Sequence, residues 1–73
     1  MKRSQRHREL LNFRKRLRSA PDDVGALSDL ASVYMKSGRC ADAVVVLQQL
    51  LAKRPRDVQA MIDCGTCYRR LGL

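Results

Sequence analysis

"PDDVGALSDLASVYMKSG", residues 21–38, returns 34 positions later as "PRDVQAMIDCGTCYRRLG", residues 55–72, with seven of the eighteen positions identical. The identical pairs are Pro21 and Pro55, Asp23 and Asp57, Val24 and Val58, Ala26 and Ala60, Asp29 and Asp63, Tyr34 and Tyr68, and Gly38 and Gly72. Conservative pairs, such as Leu27 with Met61 and Ala31 with Gly65, fall between them. A fixed period of this length marks an array of helical units, each of which needs a neighbour to cover its apolar face.

Within each copy the apolar residues keep helical spacing: Leu27, Leu30, Ala31 and Tyr34 in the first, Met61, Cys64, Gly65 and Tyr68 in the second. Both are i, i+3, i+4, i+7 stripes. Asp22 or Asp23, and then Asp57, stand where a helix start wants a side-chain acceptor, and Gly38 and Gly72 stand where a left-handed residue ends a helix. Between the copies, "CADAVVVLQQLLAKR" sets Ala43, Val44, Leu47, Leu50 and Leu51 on one side, and Pro55 closes it. The valine run has strand character, but the helical phase persists over the whole stretch and predicts a helix.

With these residues in place, the stretch 24–57 resembles a tetratricopeptide repeat. Leu27, Leu30, Ala31, Tyr34, Gly38, Ala43, Leu47, Leu50 and Pro55 carry the resemblance, and only Leu50 departs noticeably, standing where that family prefers alanine. Stepping back 34 from Leu47, Leu51 and Pro55 gives Phe13, Leu17 and Pro21, so residues about 5 to 19 resemble the second helix of a preceding repeat. Glu9 and Arg16 there replace the expected small residues. The pentatricopeptide repeats, which read RNA bases, have a similar period; the spacing of 34, with a small residue ahead of Tyr34, favours the tetratricopeptide family. The resemblance implies an all-α array of helical hairpins with about four helices. Its parts are a basic amphipathic helix in residues 1–20, a complete repeat in 21–57, and the first helix of an incomplete second repeat in 58–73.

A first helix standing alone suggests an uncovered side. Met61, Cys64, Tyr68 and Leu71 are expected to pack in part on the central pair and to leave an apolar patch, the usual mark of an interaction surface. A second copy of the chain, a helix of another protein, or the continuation of a longer array would each cover it. The resemblance also implies a ligand groove lined by first-helix residues that point away from the stripe. These are Ser28, Ser32, Met35 and Lys36, then Ile62, Thr66, Arg69 and Arg70. Lys36, Arg69 and Arg70 favour an acidic peptide through charge-assisted hydrogen bonds, set against the plainer reading of a solvated basic edge. Family members that clamp the C-terminal carboxylate of heat-shock chaperones use a Lys and an Asn where Ser28 and Ser32 stand, which disfavours that ligand here.

The chain has 73 residues and a net charge of +8, enough for one small domain with a thin core. Residues 1–20 hold eight Lys or Arg against the single acid Glu9, whereas the rest balances seven bases against six acids. The basic character therefore belongs to the N-terminal segment. "MKRSQRHRELLNFRKRLRSA" admits three readings: an array helix with a charged outer face, an acid-poor targeting segment, or a patch for nucleic acid or anionic lipid built on Arg14, Lys15, Arg16 and Arg18. Its phase with the repeat supports the first. Phe13 is its only aromatic residue, which weakens base stacking as a mode of action. Leu11 and Val45, 34 apart, are expected on the outer face as a smaller contact.

Three cysteines leave one unpaired in any internal disulfide scheme and no apolar signal segment leads the chain, so a reducing, cytoplasmic setting is expected. No apolar run approaches the length of a membrane span. Cys64 and Cys67, with Cys40 and His7, supply four zinc-type ligands on paper. Yet Cys64 takes the register of Leu30 and Cys67 that of Val33, and buried free cysteine behaves as a small hydrophobe. No metal or cofactor is expected. Catalysis lacks a recognisable nucleophile, base and acid set. The expected function is therefore a non-catalytic adaptor or chaperone that binds a peptide or helix, as a homo-oligomer or a hetero-complex through its last helix. The rival is a nucleic-acid binder working through the basic helix or as a pentatricopeptide-like fragment.

Overall fold

The structure, a computed structural model, describes residues 2–72 and the side chains of residues 8–72. Four helices follow one another: α1 (Lys2–Ser19), α2 (Val24–Lys36), α3 (Cys40–Lys53) and α4 (Val58–Arg70). The repeat is visible in the backbone chemistry of the two first helices. Asp23 caps α2 by accepting from the Ala26 N–H at 3.0 Å, and Asp57 caps α4 by accepting from the Ala60 N–H at 3.1 Å. Each carboxylate satisfies an amide that has no partner inside the helix.

The same symmetry governs the stops. Gly38 (φ 74°) and Gly72 (φ 78°) take the left-handed conformation that lacks a Cβ penalty only in glycine. At the end of α2 the Gly38 N–H reaches the Met35 carbonyl at 3.1 Å and the Arg39 N–H reaches Tyr34 at 2.8 Å, so two orphan carbonyls are satisfied as the chain reverses. The guanidinium of Arg39 then lies over the Tyr34 ring, 4.8 Å from its centroid. The valine-rich stretch is helical, as its phase requires.

Packing runs in chain order, α1 on α2, α2 on α3 and α3 on α4. Small residues at the crossings, Ala26, Ala31, Ala43 and Ala60, are all buried and let the helix axes approach. Leu27, Leu47 and Leu50 fill the space between them and are almost completely enclosed. Each such leucine contributes about 1.5–3 kcal/mol by its removal from water. Leu50, the departure from the alanine preferred in the repeat, is thus accommodated as core. Among the described side chains of α1, those that reach the core are half-buried: Leu10, Phe13 and Leu17. The array measures 30 × 27 × 14 Å. Its thin dimension is that of two layers of helices with axes about 8–10 Å apart, so each helix keeps a solvent-facing side.

Candidate functional site

A groove of about 440 Å³ lies between α2 and α4. Ser28, Ser32, Met35 and Lys36 form its α2 wall, and Gln59, Asp63 and Arg70 form its α4 wall. Five of the eight residues expected from sequence are thus brought together: Ser28, Ser32, Met35, Lys36 and Arg70. Ile62, Thr66 and Arg69 do not line it.

The physical reason is one of flanks. Stepping 34 residues along the repeat carries the α2 flank that faces α4 onto the α4 flank that faces away from α2. A groove between neighbours draws its walls from opposite flanks, and at about 100° per residue positions 59, 63 and 70 share one flank of α4 while 58, 62, 65 and 69 share the other. Gln59 and Asp63 were missed for that reason alone. Drawing both sides of the helical wheel would have found them.

Inside the groove the Gln59 amide Nε2 donates to Asp63 Oδ1 at 3.0 Å, so this carboxylate already has a partner. Lys36 and Arg70 offer cationic donors, and the Ser28 and Ser32 hydroxyls both donate and accept. Met35, half-buried, supplies a deformable apolar floor. Such a lining can hold an extended backbone with an acidic side chain.

On its other flank α4 is apolar and exposed. Val58 (62 % exposed), Met61 (47 %) and Ile62 (55 %) surround Gly65, at which an added Cβ would meet nothing within 4 Å. Of the four residues expected on an open face, Met61 and Leu71 are exposed, Tyr68 is half-buried, and Cys64 is turned into the core. The core stripe of α4 runs through Ala60, Cys64 and Cys67, which rotates the free apolar surface toward Val58 and Ile62. Tyr68 bridges outward, its hydroxyl accepting from Gln48 Nε2 of α3 at 2.9 Å.

The basic patch divides in two. Arg14, Lys15 and Arg18, with Arg8, Leu11 and Asn12, line a shallow cavity of about 370 Å³ on α1. Arg16 is instead turned to α2, where it meets Asp23 at 3.3 Å and Asp29 at 3.9 Å and lies over the Phe13 ring. The Ala26 N–H, ahead of the Arg16 guanidinium, holds the Asp23 carboxyl below its ordinary range, against a smaller upward push from lost water. Leu11 and Val45 are both exposed, as their register predicts.

Cys40, Cys64 and Cys67 are free thiols within one core cluster. Burial pushes the Cys67 thiol up to about 11, helped by the neighbouring Cys40 and Cys64 thiols. Among the described residues no group of three His, Cys, Asp or Glu is placed to hold a metal ion; the His7 side chain lies outside them. No described helix is long and apolar enough to cross a membrane.

A family model of the tetratricopeptide repeat matches residues 12–62, from the middle of α1 to the first turns of α4. No curated protein and no solved structure matches the chain.

Proposed function

Because the chain belongs to the tetratricopeptide repeat family, whose repeats generally mediate protein–protein interaction, we propose that it is a non-catalytic scaffold, an adaptor or chaperone, that holds an acidic peptide in the groove between α2 and α4. The observation that carries this reading is the α2–α4 lining itself. Lys36 and Arg70 bring two cationic donors to a lining that also holds two hydroxyls, and Asp63, the only carboxylate there among the described residues, is engaged by Gln59. An acidic side chain gains charge-assisted hydrogen bonds in that setting while its backbone pairs with serine. A reducing compartment suits such a scaffold, since its three free cysteines are packed as core.

The test is fluorescence anisotropy with a labelled, extended glutamate-rich peptide. Wild-type protein is expected to bind it saturably, and Lys36→Glu with Arg70→Glu to weaken binding by at least about tenfold, or about 1.4 kcal/mol. Unchanged affinity in the double variant would remove the groove from consideration.

A second reading is favoured by the α1 face, where Arg8, Arg14, Lys15 and Arg18 flank exposed Leu11. That face would serve nucleic acid through phosphate contacts alone. It predicts binding that falls steeply with salt and disappears on charge reversal of Arg14, Lys15 and Arg18.

A further inference from the structure

The outward face of α1 sets an apolar side chain among like charges. Leu11, 46 % exposed, stands with exposed Arg8, Arg14, Lys15 and Arg18 around the shallow cavity of that helix. Among the described residues none of these four cations takes part in an ion pair. Glu9, the acid of α1, lies seven residues, about two turns, before Arg16 and so shares the flank that Arg16 turns to α2. The aspartates are drawn elsewhere: Asp22 by Lys53, Asp23 and Asp29 by Arg16, Asp42 by Arg39 and Asp63 by Gln59.

The repeat shows that this face points outward wherever its helix stands in an array. Stepping 34 residues forward carries Leu11, Arg14, Lys15 and Arg18 onto Val45, Gln48, Gln49 and Ala52 of α3, a helix packed by both α2 and α4. All four are exposed there, Val45 by 55 %. A helix ahead of α1, packed as α2 packs on α3, would leave the same face open. Asn12, in the register of buried Val46, belongs to the covered flank, and Arg8, in the register of half-buried Asp42, stands at the edge.

Charge complementarity asks for an anionic partner, and Leu11 decides which kind. A phosphate backbone uses the cations alone and leaves the leucine unmatched, while Phe13 packs against the core and is not offered to bases. An anionic bilayer surface takes both. Its headgroups pair with the cations, an apolar side chain between them enters the acyl boundary, and the aliphatic stems of Lys and Arg lie along it. The matching residues of α3, Val45, Gln48, Gln49 and Ala52, are uncharged and do not oppose such a surface.

We propose that the outer face of α1, built of Leu11, Arg14, Lys15 and Arg18 with Arg8 at its edge, docks the chain reversibly on an anionic lipid surface, Leu11 entering between the headgroups. The groove lies between α2 and α4, so docking on α1 leaves it free and the inference stands apart from the peptide reading.

Co-sedimentation of the 73-residue chain with vesicles tests it. Vesicles of equal parts phosphatidylcholine and phosphatidylserine are expected to bind the chain saturably, at least about tenfold more tightly than phosphatidylcholine alone, and less as salt rises. Arg14→Gln, Lys15→Gln and Arg18→Gln together should weaken binding at least about thirtyfold, since each cation near the surface contributes about fivefold. Leu11→Gln keeps every charge; it should weaken vesicle binding at least about threefold and leave binding of a duplex DNA oligonucleotide unchanged. Glutamine is a good helix former and the substituted positions are exposed, so circular dichroism should show helix content kept in both variants.

No saturable binding to the anionic vesicles overturns the proposal, as does equal affinity for the two kinds of vesicle. Unchanged vesicle affinity in Leu11→Gln overturns it too. Duplex DNA binding that the triple variant abolishes, with vesicle binding absent, gives the face to nucleic acid instead. The two readings fail separately: loss of the groove reading leaves vesicle binding in place, and loss of this one leaves extended-peptide binding sensitive to Lys36→Glu.

Discussion

Cys67 holds in α4 the register that Val33 holds in α2, and it is completely enclosed. Read as a CxxC pair it suggests a metal; read in phase with the repeat it is a small apolar side chain, and its burial follows the second reading. Enclosure has a consequence for alkaline solution. The thiol, ordinarily near 9.0, is raised to about 11, so the neutral form is favoured in the folded chain. Stability from this group is present in full below pH 9 and is lost as pH rises toward 11. Asp23 sets the opposite limit, since its lowered value means stability present above 3.8 and lost as pH falls below it. Thermal melts across pH should therefore decline at both ends, and Cys67→Ala should flatten the alkaline decline while leaving the acid one. An unaltered alkaline limb in that variant would contradict the assignment to Cys67.

Helix by helix, the strongest signals in the sequence were those with a local cause. The aspartates at 22 or 23 and at 57, the glycines at 38 and 72 and the apolar stripes each act within a few residues, so each was legible before any packing was known, and the structure assigns the first cap to Asp23. Asp57→Ala removes the acceptor of the Ala60 amide and should cost about 1 kcal/mol, lowering the melting temperature by about 4–8 °C in a domain of this size. A melt unchanged within one degree or so would mean the cap contributes nothing. What the sequence did not yield was the rotation of α4. Repeat symmetry assigns equivalent residues, not facing ones, and so it named Ile62 and Arg69 where the groove uses Gln59 and Asp63. The pairing of Arg16 with Asp23 and Asp29 escaped for a related cause: in one dimension it looks like one more basic residue in a basic run.

For the molecule as a whole, charge and apolar surface are arranged at opposite ends. The N-terminal helix is strongly basic, and the far flank of α4 is apolar with Arg69 among its residues. Composition made the first visible, because charge counts need no fold. The second needed the structure, since exposure of Val58 and Ile62 depends on which way α4 turns. Packing in chain order also gives the array a sequence of opening. Among the described residues α1 brings half-buried apolar side chains and the exposed Arg16 to α2, while α2 and α3 share the enclosed leucines, so separate segments open at different free energies. Amide hydrogen exchange should be fastest in α1, intermediate in α4 and slowest across the facing turns of α2 and α3. A peptide in the groove between α2 and α4 should slow the last helix most and the first least. Occupancy of the groove is thus readable as a gradient of exchange along the chain, without knowing who the partner is.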